Sequence, residues 1–431
     1  MKKLFYLFIL LTLISCQNQE TPNSNFVEVN GLDFILNQEP YHFSGANYWF
    51  GMNLGAEKSG DRARLIRELD QMQKLGITNL RVLAASEAHE DAKYCVHPAL
   101  QTAPDVFNED VFGGLDFLLA EMAKRDMKAI MVLSNYWTWS GGFPQFLEWT
   151  GADSIPYPQE PPYSWSVFTS YSCEFYKHQK AQELYKNTVE AIINRKNHIT
   201  NKIYKNDPTI MTWELANEPR GYDYPAEYRQ WLADAAAFIK SLDKNHLVAA
   251  GNEGSTNSKS AGVDVILDNQ IDDIDYITLH VWPQNWSWFD PNQAEESFQP
   301  AMDLAKEYIE THEAAAIKLN KPMVLEEFGI ARDGGDFQEH ASTVYRDKFY
   351  QYFYEVVLEN IKSDGPIQGI NFWSYTGEGR APRPGEFWKK GDPFIGDPPH
   401  ELQGWYSVYD KDESTLNILR NFNKELQNIK K

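Results

Sequence analysis

Two short stretches carry residues able to break a covalent bond. "WELANEPR" (residues 213–220) sets Asn217, Glu218 and Pro219 after an apolar run, and "LEEFG" (residues 325–329) ends a second apolar run with Glu326 and Glu327. Paired carboxyl groups facing each other across a pocket suit cleavage of an acetal. One must be protonated to donate to the leaving oxygen, and the other ionised to attack or to activate water. A separation of roughly 5–5.5 Å implies a covalent intermediate and retention, whereas about 6.5–9.5 Å implies inversion. The blander alternative is a capped turn at Asn217 and Pro219, with Glu218 and Glu327 as structural ion-pair partners.

Residues so far apart in the chain need a scaffold that brings strand ends together. Eight strand-like apolar runs follow one another, at residues 42–49, 79–84, 128–134, 209–216, 247–254, 275–282, 322–329 and 367–375. Amphipathic helical patterns separate most of them, such as "RARLIRELDQMQKLG" and "RQWLADAAAFIKSLDKN", with apolar residues three and four apart. Eight such units predict a (β/α)8 barrel spanning residues 25–431 as one domain. A doubly wound open sheet would ask for a glycine-rich phosphate loop after the first strand, and "GANYWFGMNLG" is a poor one. The opening "FVEVNGLDFILNQEP" reads as a small hairpin covering the barrel floor. In such barrels the carboxyl ends of the strands carry the site. Collected there are Arg81, Asn135, Asn217, Glu218, His280, Glu327 and Trp373.

The 431 residues are 42% hydrophobic and 14% aromatic, enough for a large core. Lys and Arg total 40 against 61 Asp and Glu, a formal charge of −21, which argues against nucleic acid as a partner. No His, Asp and Glu cluster has ligand spacing along the chain, so neither metal nor cofactor is expected. Lys2 and Lys3 precede the apolar run 4–14, too short to span a bilayer and of the right length for a secretory signal. "LISC" resembles a bacterial lipobox. Residues 1–15 are therefore expected to be a signal peptide, Cys16 the lipid-modified first residue, and residues 16–24 a flexible tether; cleavage nearby, discarding Cys16, is the alternative. On this reading the protein leaves a bacterial cytoplasm and is anchored at the periplasmic or outer cell surface. Export permits a disulfide between Cys95 and Cys173, or two free thiols.

"WELANEP" and "LEEFG", on the fourth and seventh predicted strands, resemble the signatures of glycoside hydrolase family 5. "NYWTWSGG", "LHVWPQNW", "FWSYTGEGR" and "GDPPHELQGWYSVYD" are similar to stretches of its endo-β-1,4-mannanases. The resemblance covers nearly the whole mature chain and implies a retaining endo-β-1,4-mannanase acting on β-mannan. A β-1,4-glucanase of the same family and a non-catalytic glycan-binding lipoprotein are the rivals; intact Glu218 and Glu327 argue against the second. The family pattern makes Glu218 the acid/base and Glu327 the nucleophile. Strand alternation then sends Glu326 behind the barrel or to a helix-borne cation. Arg81 is expected to keep Glu327 ionised, Asn217 to bond the sugar 2-OH, and His280 to orient the acid/base. Trp373 is the expected floor beneath the cleaved sugar, with a cis bond to Ser374. Trp49, Trp137 and Trp282 are candidate walls on the non-reducing side, Arg220 a contact for the leaving sugar, and Asn135 a further rim contact. Two departures stand out: Trp282 occupies a position where many relatives have Tyr, and the third strand ends in "SNYW" rather than His-Asn. The stretch between residues 380 and 410 is expected to wall the cleft.

Overall fold

The computed structural model describes residues 25–256 and 261–429. The expected signal peptide, Cys16 and tether lie outside those residues. The eight predicted strands form at Phe43–Asn47 (β1), Asn79–Leu83 (β2), Lys128–Val132 (β3), Ile210–Glu214 (β4), Leu247–Ala249 (β5), Ile277–Val281 (β6), Met323–Phe328 (β7) and Ile367–Phe372 (β8). They pair in parallel in the order β5-β4-β3-β2-β1-β8-β7-β6, and a parallel bridge between Ala249 and Tyr276 joins the two edges. The sheet thus closes as a (β/α)8 barrel.

Local signals set the helices as expected. Arg62–Leu75 starts where the Asp61 side chain accepts the Arg64 N–H and stops at Gly76, whose φ of +83° suits glycine. Pro225–Leu242 carries its proline in the first turn, where no amide partner is lost. Val344–Lys362 buries Phe349, Tyr350 and Phe353, with Phe328 packing against these rings.

The amino-terminal hairpin forms between Glu28–Asn30 and Asp33–Leu36, and a short strand, Glu39–Pro40, extends it to three. Its Phe34 meets Tyr276 edge-on at 5.3 Å and packs with Phe43, Ile130 and Met211. That cluster plugs the amino end of the barrel, so the hairpin closes the floor. Cys95 and Cys173 are buried free thiols.

The register shifts at three barrel pairings, β3–β4, β6–β7 and β7–β8, and the second of these matters at the rim. Between β6 and β7 the register runs Leu279 to Leu325 and then His280 to Glu327, leaving Glu326 as an extra residue on β7. Such a bulge re-aims side chains. Instead of lying behind the barrel, Glu326 is fully buried and faces Arg81 and His280, each 3.6 Å from its Oε2.

Candidate active site

Arg81, midway along β2, is the hub of the rim. Its guanidinium donates to both oxygens of Glu214, at 2.8 and 2.5 Å, to Asn217 Oδ1 at 2.8 Å and to Asn47 Oδ1 at 3.1 Å. The remaining direction is filled by Glu327, whose Oε1 accepts from Nη1. A rigid fork with every donor satisfied holds that carboxylate in place. Burial pushes Glu327 up to about 7 against the opposing pull of His280 and Arg81.

Glu218 is held differently. β4 ends at Glu214, yet the chain stays tied to its neighbours: Asn217 N–H donates to Ser134 O at 2.9 Å and Glu218 N–H to Gly251 O at 2.8 Å. Glu218 takes a φ of +49°, rarely adopted by an L residue and seen mostly where surrounding structure imposes it. This turn, stopped by Pro219, lifts the carboxyl above the core. His280 Nδ1 then lies 2.8 Å from Oε1, and the Trp137 indole N–H donates to Oε2 at 2.7 Å. Burial alone would raise the Glu218 pKa; the His280 imidazolium, Arg220 and the indole outweigh it and bring it down to about 2.

His280 bridges the two acids, its Nδ1 being 3.3 Å from Glu327 Oε2. Burial disfavours its charge, but Glu327, Glu218 and Glu326 lift it to about 10. Carboxyl oxygens of Glu218 and Glu327 and a ring nitrogen of His280 lie within 4.8 Å of one another. One oxygen of each acid within that reach fits the short separation of retaining glycosidases, roughly 5–5.5 Å.

The chain matches, over residues 24–431, the family described as GH family 5 beta-mannosidase-like. It belongs to glycoside hydrolase family 5. A curated relative, mannan endo-1,4-beta-mannosidase 7 of Arabidopsis thaliana, is 32% identical over 391 residues, covering 86% of this chain and 84% of that one. A solved family 5 mannosidase from Rhizomucor miehei is 37% identical with a TM-score of 0.88, covering 95% of this chain and 99% of that one. An endo-1,4-beta-mannanase structure from the same fungus, at 23% identity and a TM-score of 0.69, shares the fold.

The pocket of this family 5 chain has a volume of about 540 Å³. Trp373 lines it as expected and its bond to Ser374 is cis. Trp137, Trp282 and Arg220 also line it. Trp282 meets Trp373 edge-on at 5.9 Å, and among the described residues no hydrogen bond joins its indole to Glu327. Asn217 faces the pocket with one amide hydrogen committed to Asn135 Oδ1 at 3.2 Å, leaving the second for a ligand.

Two expected residues lie behind the wall. Asn135 is fully buried, accepting from Trp137 N at 2.9 Å and donating to Ser140 Oγ at 3.0 Å, so it props Asn217 and Trp137. Trp49 is buried because the segment after β8 folds over it: its indole donates to Gly396 O at 2.7 Å and its ring abuts Phe394. Trp139, packed on Trp49 at 5.6 Å, lines the pocket in its stead.

Other lining groups escaped the sequence reading. Glu253 ends the β5 run and takes Arg220 Nη2 on both oxygens, at 2.7 and 2.9 Å; burial lifts it to about 7. His400 and Glu401, from the segment after β8, border the same cavity. Burial pushes the Glu401 carboxyl well above the usual range and His400 down to about 3, so it favours the uncharged form of each. Glu253 was legible as a strand-end carboxylate; the other two lie in a long loop without a pattern. Nor does spacing along the chain reveal that Glu218, His280 and Glu327 come close enough to hold a metal ion. Arg81 and the imidazolium already supply the positive charge there.

Proposed function

We propose that this chain is a retaining endo-β-1,4-mannanase, hydrolysing internal bonds of mannan, galactomannan or glucomannan. The observation that carries the mechanism is the approach of the Glu218 and Glu327 carboxyls to within 4.8 Å, with Arg81 on one and His280 between them. The relatives named mannan endo-1,4-beta-mannosidase support the substrate.

In the free site the proton needed by the leaving oxygen rests on the His280 and Glu218 pair. An imidazolium beside a carboxylate is a tautomer of imidazole beside a carboxylic acid. A sugar over Glu218 removes its water and favours the second form. Glu218 then protonates the glycosidic oxygen while Glu327 attacks C1, giving a mannosyl ester with retained charge balance. The ester no longer repels Glu218, which takes a proton from water as the oxygen of that water attacks C1 and releases Glu327. Trp373 presents an aromatic face to the sugar, and the free amide hydrogen of Asn217 is available to the 2-OH.

A second reading has a specific basis. Two loops meet beside the pocket: Gln159 Nε2 donates to His400 O at 3.2 Å, and His400 stacks with Trp139, both lining the cavity, at 6.4 Å. A wall on that side would suit release of single terminal mannosyl units, and a mutant of the Rhizomucor mannosidase was crystallised with mannosyl-fructose. A product profile from mannohexaose and cellohexaose decides. Internal cleavage yields oligosaccharides of two to four units first; terminal action yields mannose first; cellohexaose hydrolysis instead would make the chain a glucanase, and no hydrolysis of either a binder.

Export with a lipid on Cys16 is proposed from the sequence pattern, and labelled palmitate retained by Cys16→Ala would refute it. Among the described residues no helix is long and apolar enough to cross a membrane.

A further inference from the structure

The mechanism leaves one acid at its centre unused. The bulge in β7 turns Glu326 into the barrel interior directly behind the reacting pair, and the Asn47 side chain pins its backbone by donating to its carbonyl at 2.8 Å. The carboxyl is fully buried, and neither oxygen has a hydrogen-bond partner among the described residues. The same is true of His280 Nε2, 3.6 Å away.

The groups facing this carboxyl come from every side of the barrel. Arg81 on β2 stands 3.6 Å away, but its fork is already taken by Glu214 and Glu327. Glu214 on β4 and Glu327 on β7 add negative charge, and the buried Tyr276 hydroxyl, just before β6, adds only a dipole. An unpaired charge buried so deeply is costly, and one left beside a free imidazole N–H is not unpaired. Among the described residues, the sole uncommitted donor of positive charge within reach is the Nε2 edge of His280.

We propose that Glu326 is a positioning residue for the catalytic proton, its carboxylate holding the Nε2–H of His280 so that the ring stays cationic and keeps a second proton on Nδ1 for Glu218. The proposal rests on the assignment of Glu218 and Glu327 as the reacting pair. Protons balance through the cycle. His280 passes its Nδ1 proton to Glu218, which gives it to the leaving oxygen; in the second step Glu218 takes one from water and returns it to Nδ1. The Nε2 proton never leaves, because Glu326 holds it. A small shift of the ring closes the 3.6 Å gap to hydrogen-bond distance.

The test is the pH dependence of kcat/KM on mannohexaose for wild type, Glu326→Gln and Glu326→Asp, with the melting temperature measured alongside. Removing a negative charge lowers every neighbouring pKa. The alkaline limb, which reports loss of the shared proton, is expected to move down by about one unit or more in the Gln variant and to return toward wild type in the Asp variant. A Gln profile that superimposes on wild type, whatever its melting temperature, overturns the proposal. Should the Gln variant not fold, imidazole nitrogen shifts of His280 in the wild type decide: two protonated nitrogens at pH 8 support it, and a neutral ring overturns it. A wild type that cleaves no mannan would sink the functional reading, while the nitrogen shifts would still judge Glu326.

Discussion

At the floor of the barrel, Phe34, Phe43, Ile130, Met211 and Tyr276 form a closed apolar cluster, sealed by a hairpin. At the rim, the same eight strands place Arg81, Glu214, Glu218, His280, Glu326 and Glu327 in contact, nearly all shielded from water. The floor gains free energy from every group it buries. The rim loses it, since each buried carboxyl must be desolvated and only two cations offset four acids. The contrast teaches that this barrel is stabilised at one end so that charge can be held, against its solvation preference, at the other.

That contrast breaks most sharply at Glu327. Truncation to Ala is expected to lower kcat on galactomannan by about 10⁴-fold or more while leaving the melting temperature unchanged or raised, because an acid that strains the rim is gone. A large fall in both would place Glu327 in the structure rather than in the chemistry. The opposite pattern is expected at the floor. Phe34→Ala should cost about 3–5 kcal/mol in denaturant unfolding and leave kcat within about twofold; a matching loss of kcat would mean that the two ends are not independent.

Arg81→Met sharpens the electrostatic half of the comparison. Without the guanidinium, Glu327 is harder to ionise, so the acid limb of kcat/KM should move to higher pH, and kcat/KM at neutral pH should fall by about 10²–10³-fold. The smallest effect concerns Glu87, a buried rim carboxyl that accepts from Gly142 N–H at 2.8 Å and is pushed up to about 8. A carboxyl whose folded pKa lies above its unfolded value favours the native state at low pH, and that contribution is lost as pH rises toward the folded value. Glu87→Gln should therefore be more stable relative to wild type at pH 8 than at pH 5, as read by melting temperature; equal differences at both would contradict it.

The eight strands were legible because parallel strands buried on both faces leave continuous apolar runs. Glu218 and Glu327 were legible for the same reason: polar residues that end such runs stand out. Glu326 was not, because alternation assigns neighbours to opposite faces and a bulge has no signature in "LEEFG". Trp49 misled because an aromatic beside a glycine-rich turn looks exposed until another loop, Phe394 to Gly396, lies over it. His400 and Glu401 acquire their roles from tertiary contacts across the cleft, which no local pattern encodes, whereas Glu253 was legible as a carboxylate near the end of the β5 run.

The claim that two acids meet at one anomeric carbon is tested most directly by trapping the ester. A mannosyl fluoride carrying fluorine at C2 slows both steps while its good leaving group favours the first. Peptide mass spectrometry after incubation should find a single fluoromannosyl adduct on Glu327, absent from Glu327→Gln. An adduct on Glu326 or elsewhere, or turnover with no adduct and inverted product, would contradict the account.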